Sequence, residues 1–241
     1  MLEILYQDDH YIAINKPPGL LVHKTKIAKG ENPEFAMQML RDQIGQWVYP
    51  LHRIDRPTSG ILLFAKSSED ASLFLTQFTE HRIEKNYLAI VRGYLRENQF
   101  VTDYPLKKYL SEELQEAQTS FWSLGQTEIP LSSSPKYPTS RYSLVKAFPH
   151  TGRMHQIRRH LAHERNYIIG DTTHGENKQN RFFREQFDLN NLMLHAWQVK
   201  FVHPILGTDV NIQAPLPEHF LKAINKLGWE SIIAKLGLCP N

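Results

Sequence analysis

Residues 61–65 (ILLFA) form an uninterrupted apolar run that follows directly on the segment HRIDRPTSG, residues 52–60. A short apolar run without alternation is typical of a strand that is buried on both faces. The segment before it contains Pro57 and Gly60, which favour a bend, with Thr58 and Ser59 able to hydrogen-bond the loop backbone. The sequence therefore predicts a loop that places Asp55 immediately before a buried strand.

Further strands and helices follow from residue patterns along the chain. The predicted strands are LEILY with YIAIN as an opening hairpin, NYLAIVRGYL, SRYSLVKAF, and LMLHAWQVKFVH with TDVNIQA as a second hairpin. Helical spacing is found at residues 68–81, with a capping box at Ser67 and Asp70, at residues 154–165, and in PEHFLKAINKLG.

These elements predict an α+β fold, a mixed, largely antiparallel β-sheet with flanking helices. We expect residues 1–241 to form a single catalytic domain. Residues 107–138 are rich in charges, serines and prolines, so we predict a flexible insertion there.

Composition sets further limits on the class of protein. The formal net charge is only +3, so a polyanionic partner would need a local basic patch. Cys239 is the sole cysteine, which excludes an internal disulfide and a zinc site built on cysteines. The first ten residues lack the features of a signal peptide, and no run of about 18 apolar residues occurs. We expect a cytoplasmic protein with no membrane partner.

Asp55 lies between Arg53 and Arg56, an unusual density of charge for one loop. One interpretation is a structural ion-pair cluster beside a strand. The other is a carboxylate held ready for catalysis. The loop alone leaves both interpretations open.

The segment GRMHQIRRHLAHER favours the catalytic interpretation. On a helical wheel at about 100° per residue, Met154, Ile157 and Leu161 share an inward face, which Arg158 borders. Arg159 points nearly opposite, towards solvent. Because a half-buried arginine needs a carboxylate partner, Asp55 is the candidate partner of Arg158. Such a pair would keep the carboxylate ionised and oriented.

Metal and nucleotide cofactors are not indicated. His160 and His163 stand three residues apart, but HExxH is missing and the neighbouring arginines would repel a cation. Walker and GxGxxG motifs are also missing. His195 and His203 are interpreted as hydrogen-bonded core residues. We therefore predict no metal and no cofactor.

Basic and aromatic residues are interleaved around these loops, a mixture that suits RNA rather than DNA. Cations can contact phosphates while an aromatic ring stacks on an unpaired base. The candidate contacts are Arg53, Arg56, Arg82, Lys85, Tyr87, Arg153, Arg159 and Arg165. For any one of these side chains, a solvated surface position is the alternative.

Four ordered segments together resemble the RluA-type pseudouridine synthases: INKPPGLLVH, HRIDRPTSG, the strand with Tyr87, and GRMHQIRRHLAH followed by IIGDTTHG. The resemblance covers nearly the whole chain apart from residues 107–138. It implies an isomerase without cofactors that flips a uridine out of RNA and converts it to pseudouridine. Within the family, the chain most resembles enzymes that modify position 65 of transfer RNA.

The resemblance also implies roles for single residues. Asp55 would be the catalytic aspartate, Tyr87 the ring that stacks on the uracil, Arg158 the partner of Asp55, and Arg53 the side chain that displaces the flipped nucleotide. Arg153, Arg159 and Arg165 are the further RNA-binding candidates, whereas Arg56 has no assigned role. His174 stands where many relatives carry tyrosine, and Asn166–Tyr167 where they carry His-Pro.

Two alternatives remain: the same reaction on ribosomal RNA, and an RNA-binding protein without catalysis. The sequence also does not distinguish Asp55 as a nucleophile from Asp55 as a base that removes a sugar proton. We expect a monomer.

Overall fold

The computed structural model describes residues 1–23, 35–79, 82–108 and 111–238, so Cys239 lies outside the described residues. The chain divides into two compact units. The first comprises Met1–Lys85 and Ala196–Pro215, and the second comprises Asn86–His195 and Leu216–Asn241. None of the described helices has the length and apolar character needed to cross a membrane.

Twelve strands and six helices make up the described part of the chain. The strands are β1 (Glu3–Gln7), β2 (Tyr11–Lys16), β3 (Tyr49–Pro50), β4 (Ser59–Ala65), β5 (Glu84–Arg92), β6 (Gln99–Thr102), β7 (Leu106–Lys107), β8 (Leu114–Gln115), β9 (Thr119–Ile129), β10 (Ser140–Pro149), β11 (Leu194–Val202) and β12 (Asp209–Gln213). The helices are α1 (Ala36–Ile44), α2 (Ser68–Thr79), α3 (Gln156–His163), α4 (Asn177–Phe187), α5 (Glu218–Leu227) and α6 (Glu230–Lys235).

The first unit is a sheet in the order β1-β2-β4-β11, with β3 paired to β4 and β12 to β11. The predicted opening hairpin is confirmed, and its turn is held by Asp8, whose Oδ1 accepts hydrogen bonds from the backbone N–H groups of His10 and Tyr11. β2 pairs antiparallel with β4 in a register that sets Lys16 opposite Gly60. This register brings the loop after β2 and the loop before β4 to the same end of the sheet.

β4 has all seven residues buried, as its apolar sequence predicts. Helix α2 packs against it and begins with the predicted cap, in which Ser67 Oγ accepts the N–H of Asp70 at 3.0 Å. Phe74 of α2 is fully buried, whereas the next residue, Leu75, is 53% exposed. The helix is described to Thr79, and the predicted residues 80–81 lie outside the described residues.

The second unit contains the strand order β5-β10-β9-β6, in which each neighbouring pair is antiparallel. β9 lies within residues 107–138, and it is an eleven-residue strand paired to β10 along its length and to β6 at its start. The expected flexible insertion is therefore wrong for residues 119–129, which belong to the sheet. Residues 109–110 of that segment lie outside the described residues.

Helix α3 packs against β9 and β10 and begins two residues later than predicted. Ile157 and Leu161 are buried as the wheel predicts, whereas Met154 precedes the helix and is 42% exposed. The α+β class, with a mixed, largely antiparallel sheet and flanking helices, is confirmed. The single domain over residues 1–241 stays a prediction.

Candidate active site

Asp55 lies in the loop that leads into β4, where the sequence places it. The backbone N–H of Thr58 donates to the carbonyl of Asp55 at 3.0 Å and closes a tight turn around Pro57. Thr58 and Ser59 are buried, and Asp55 itself is half-buried. Gly60 has φ +107°, and a Cβ there would lie 2.2 Å from the carbonyl oxygen of Ala196. Only glycine fits where this loop joins the strand.

Lys16 fastens this loop to the one that follows β2. Its side chain is fully buried, and its Nζ donates to the carbonyls of Pro17 and Leu20 at 2.9 Å and of Arg56 at 3.0 Å. Burial lowers the pKa of Lys16 to about 7, an effect that the negative charge of Asp55 partly opposes. Lys16 is a buried polar residue that the sequence analysis did not single out, although it belongs to the quoted segment INKPPG.

Arg56, which had no assigned role, completes the connection between the two loops. Its Nε donates to the carbonyl of Gly19 at 2.9 Å, and the N–H of Gly19 donates back to the carbonyl of Arg56 at 2.8 Å. The sequence features that carry this connection are the proline-glycine loop, residues 17–19, and Arg56, which directly follows Asp55. Together, Lys16 and Arg56 hold the backbone on the carboxyl side of Asp55.

His52 supports the other side of the same loop. Its Nε2 accepts the backbone N–H of Leu63 at 3.2 Å. Burial, with a smaller contribution from Lys85, lowers the pKa of His52 to about 3, so the ring is neutral near pH 7. The ring therefore acts as a hydrogen-bond acceptor rather than as a second charge near the carboxylate. Arg53, between His52 and Asp55 in the loop, is exposed.

Tyr87 lies on β5, opposite Ala147 of β10. The ring is 8% exposed, so its position is fixed by the sheet. The neighbouring residues Leu88 to Val91 are also buried, which makes β5 a rigid platform. The predicted strand with Tyr87 is confirmed, but it begins earlier, at Glu84, so Tyr87 is its fourth residue.

Arg158 is almost fully buried at 3% exposure, and the structure gives it a partner that the sequence analysis missed. Its Nε donates to Oδ2 of Asp171 at 2.7 Å and its Nη2 donates to Oδ1 at 2.8 Å. The expected need for a carboxylate is confirmed, but Asp55 is not the residue in this two-pronged pair. Asp171 lies in IIGDTTHG, residues 168–175. An aspartate within an apolar segment that follows the helix was the sequence signal for this partner. A contact of Arg158 with Asp55 stays a prediction.

The same aspartate anchors the turn after it. Its Oδ1 also accepts the N–H groups of Thr173 and His174, both at 2.9 Å. Burial acts to raise the pKa of Asp171, but the hydrogen bonds from Arg158 and from the His174 amide outweigh it and lower the pKa. The carboxylate is thus held ionised, and it fixes the direction of the Arg158 guanidinium.

The start of α3 is organised by His155 and Gln156. His155 adopts a left-handed backbone, φ 54°, and its Nδ1 lies 2.9 Å from Nε2 of His174. The buried Gln156 accepts from Thr151 Oγ1 and from the N–H of Arg153, and it donates to the carbonyl of Gln118. These bonds tie the GRMHQ loop to the end of the sheet, so Arg158 is positioned from both sides.

The remaining predicted RNA contacts differ in their surroundings. Arg153 Nε donates to the carbonyl of Glu116 at 2.9 Å, and Arg159 Nη1 donates to the carbonyl of Lys107 at 3.0 Å. Arg159 is half-buried rather than fully solvated, although it is on a different face from the buried Arg158. Arg165 is exposed.

The histidines considered as metal ligands have other partners. His160 is buried, with Nδ1 2.9 Å from Thr119 Oγ1 and Nε2 2.9 Å from the carbonyl of Tyr104, while the His163 ring stacks on that of Tyr104. Within the described ranges, no group of three or more histidine, cysteine, aspartate or glutamate side chains could hold a metal ion. His203 is a satisfied core residue as predicted, since its Nε2 lies 3.0 Å from Asp8 Oδ2.

The predicted site consists of three residues. Asp55 is half-buried on a braced loop, Tyr87 is buried on a strand, and Arg158 is buried with a carboxylate partner. The family model described as RNA pseudouridylate synthase matches residues 10–163. The chain belongs to this family, which confirms the resemblance to the RluA-type enzymes. It is accordingly an isomerase that converts uridine in RNA to pseudouridine.

Particular relatives are similar over nearly their whole length. The chain is 47% identical to tRNA pseudouridine synthase C of Vibrio parahaemolyticus, covering 97% of this chain and 98% of the relative. It is 48% identical to the protein of that name from Vibrio cholerae, with 95% and 97% covered, and 46% identical to that from Haemophilus influenzae, with 96% and 100% covered.

Two solved human structures share the fold. They are described as RNA pseudouridylate synthase domain containing 4 and domain containing 1. Each superposes with a TM-score of 0.72. The first is 24% identical, with 94% of this chain and 93% of the human chain covered. The second is 21% identical, with 100% of this chain and 96% of the human chain covered.

Proposed function

We propose that this protein isomerises uridine 65 of transfer RNA to pseudouridine, with Asp55 as the catalytic carboxylate. The observation that carries the substrate is the identity of 46–48%, over at least 95% of this chain, with proteins named tRNA pseudouridine synthase C. The support for Asp55 is its place in a loop that Lys16 and Arg56 fasten on one side and His52 on the other. Such bracing holds a reacting group in one geometry.

The reaction breaks the bond between N1 of uracil and C1′ of the ribose, and joins C1′ to C5 of the same uracil. The proton on C5 is released and N1 gains one, so no redox step occurs and atoms balance. An ionised Asp55 could attack C1′ and form a covalent intermediate, or it could remove a sugar proton. Both routes need the carboxylate deprotonated and held beside the sugar.

Tyr87 and Arg158 supply binding and orientation. Flipping a uridine from its helix costs a few kcal/mol, which stacking on an aromatic ring helps to offset. The fixed ring of Tyr87 suits this role because little side-chain freedom remains to be lost on binding. Arg158, held by Asp171 through Nε and Nη2, would present its remaining edge to Asp55 and orient that carboxylate.

The exposed basic side chains would hold the RNA backbone. Arg53 would fill the space that the flipped nucleotide leaves, and Arg153, Arg159 and Arg165 would contact phosphates. The phosphate contacts make binding sensitive to salt, because each one releases counterions.

The direct test is the release of tritium from transfer RNA labelled at uridine C5. We expect the wild-type protein to release tritium from position 65 and Asp55→Asn to release none while it still binds the RNA. Asp9→Asn, a change at an exposed aspartate, is the matched control and should behave as wild type. Turnover by Asp55→Asn at the wild-type rate would refute the catalytic assignment. Release from a ribosomal fragment but not from transfer RNA would refute the substrate.

Two neighbouring arginines allow a second comparison. Arg158→Ala should lose turnover, whereas Arg159→Ala should mainly raise KM, and more so at higher salt. Equal effects on kcat would contradict the separate roles.

A further inference from the structure

A polar cavity of about 520 Å³ lies within the second unit, and neither Tyr87 nor Arg158 lines it. Its walls come from the turn after β5, the start of β10 and the residues that follow α3. The volume is within the range of about 300–1,000 Å³ that small-ligand sites occupy. The cavity is therefore large enough for a nucleotide.

Four arginines line this cavity. Three of them meet a glutamate, in the pairs Arg92–Glu176 at 2.8 Å, Arg96–Glu164 at 3.4 Å and Arg141–Glu128 at 3.0 Å. The fourth is Arg165. In the part of the chain that the structure describes, its side chain makes no hydrogen bond or ion pair. One cationic group in the cavity is thus available to an anion.

Arg165 has a strained backbone conformation. Its φ is +59°, because the chain leaves α3 through a left-handed residue whose N–H donates to the carbonyl of Ala162. Glycine is the usual residue at this position after a helix, since a side chain in this conformation is strained. Asn166 then locks the turn, as its Nδ2 donates to the carbonyls of Arg92 and Tyr94.

Two tyrosines line the same cavity, each with a cation over one face of its ring, Arg141 over Tyr94 and Lys136 over Tyr137, which leaves the opposite face for a base. Tyr94 is 38% exposed and Tyr137 is 54% exposed, and both line the cavity. Beneath them, Gln179 accepts from the buried Tyr142 hydroxyl and donates to Ser133 Oγ, which gives the cavity a fixed polar floor. An unpaired cation beside exposed rings is the combination that binds a phosphate and stacks a base.

The cavity is too far from the catalytic tyrosine for one nucleotide to reach both. Arg92 follows Tyr87 by five residues on β5, a separation of about 17 Å along the strand. Arg165 follows Arg158 by seven residues and lies beyond the C-terminal end of α3. A nucleotide in the cavity would be a different one from the target uridine.

We infer that this cavity is a second RNA-contacting site, which holds a nucleotide of the substrate away from the isomerised uridine. Arg165 binds its phosphate, and Tyr94 or Tyr137 stacks on its base. The inference deepens the proposed function and rests on it, because it adds a contact to the same RNA substrate.

The test compares Arg165→Gln, Tyr137→Leu and the double variant with wild type in steady-state kinetics on unmodified transfer RNA. We expect KM to rise about 10-fold in the double variant while kcat stays within 2-fold, because the contact is remote from the reacting atoms. The salt dependence of kcat/KM should become shallower by about one phosphate contact in Arg165→Gln. Lys226→Gln, an exposed cation on α5 of the same unit, is the matched control and should change neither quantity.

An unchanged KM and salt dependence in a double variant that melts as wild type would overturn the inference. A fall in kcat at constant KM would overturn it too, since the site would then act on the chemistry. The proposed function is refuted by a different result, in which the wild type converts a ribosomal fragment and not transfer RNA. In that case the same variants are measured on the ribosomal fragment. An unchanged KM and salt dependence, or a fall in kcat at constant KM, would again overturn the inference.

Discussion

Asp171→Asn removes a negative charge from a buried ion pair while it keeps the size of the side chain. The side chains of Arg158 and Asp171 are 3% and 1% exposed, and two hydrogen bonds join them. Breaking a buried pair by neutralising one partner costs about 3–5 kcal/mol, because the other charge is left uncompensated. The N–H groups of Thr173 and His174 also lose a charged acceptor. We expect the free energy of unfolding to fall by about 3–5 kcal/mol.

Urea unfolding monitored by circular dichroism measures this loss. With a slope of about 3 kcal/mol per molar urea, the midpoint should fall by about 1 M or more. Asp188→Asn is the matched control, because Asp188 is 88% exposed and meets Lys222 at 3.3 Å, and it should leave the midpoint unchanged. A loss of less than about 1 kcal/mol in Asp171→Asn would refute the reasoning from burial.

The pH dependence of the same variant is a second check. The pKa of Asp171 is lowered in the folded protein. Its contribution to stability is therefore complete above the unfolded pKa of about 3.9 and is lost as the pH falls through the lowered value. Wild type and Asp171→Asn should differ most above pH 4 and converge in stronger acid. A constant difference down to pH 2 would contradict the assigned cause.

Two other predictions concern the loops around Asp55. Lys16→Met removes the three donors that join the loops and should lower kcat by about 10–100-fold. Because the lowered pKa of Lys16, about 7, lies below its unfolded pKa of about 10.4, wild-type stability should rise between pH 7 and 10, and urea unfolding of Lys16→Met should show less of this rise. Gly60→Ala should destabilise far more than Gly19→Ala, since its Cβ meets Ala196 at 2.2 Å whereas that of Gly19, φ +88°, meets nothing within 4 Å. Equal unfolding midpoints for the two alanine variants would show that the loop moves aside.

The features that sequence predicted correctly are those that depend on local patterns. β4 could be predicted because every one of its residues is apolar, and the capped start of α2 because Ser67 and Asp70 have the spacing of a cap. Helical periodicity alone placed Arg158 at the edge of the inward face, and the structure buries it almost completely. In each case the residues that carry the signal are adjacent in the chain.

β9 could not be predicted because its partners determine it. Thr119–Trp122 pair with both β6 and β10, whereas most of the remaining residues of β9 pair with β10 and are partly exposed. Strand propensity depends on such neighbours more than on composition. Its polar second half therefore resembled the serine-rich stretch that follows it.

The site shows the same limit for side chains. A helical wheel indicated that Arg158 needed a carboxylate, but it could not identify Asp171 as that partner, because the position of Asp171 depends on where the chain turns after α3. Arg56 similarly had no role until Gly19, 37 residues earlier, was found to exchange hydrogen bonds with it. Sequence identified which groups require partners, and only the fold identified the partners.

Because Asp55 and Arg158 are each braced within their own unit, the predicted contact between them can be measured separately from either brace. We expect a double-mutant cycle of Asp55→Asn and Arg158→Met in urea unfolding to give a coupling energy of about 1–3 kcal/mol if the two charges pair. The cycle of Asp9→Asn and Arg158→Met is the control, since Asp9 is an exposed aspartate outside the Asp55 loop, and it should be additive within about 0.5 kcal/mol. Additivity in the first cycle would refute the pairing of Asp55 with Arg158 and leave Asp171 as the charge that Arg158 requires.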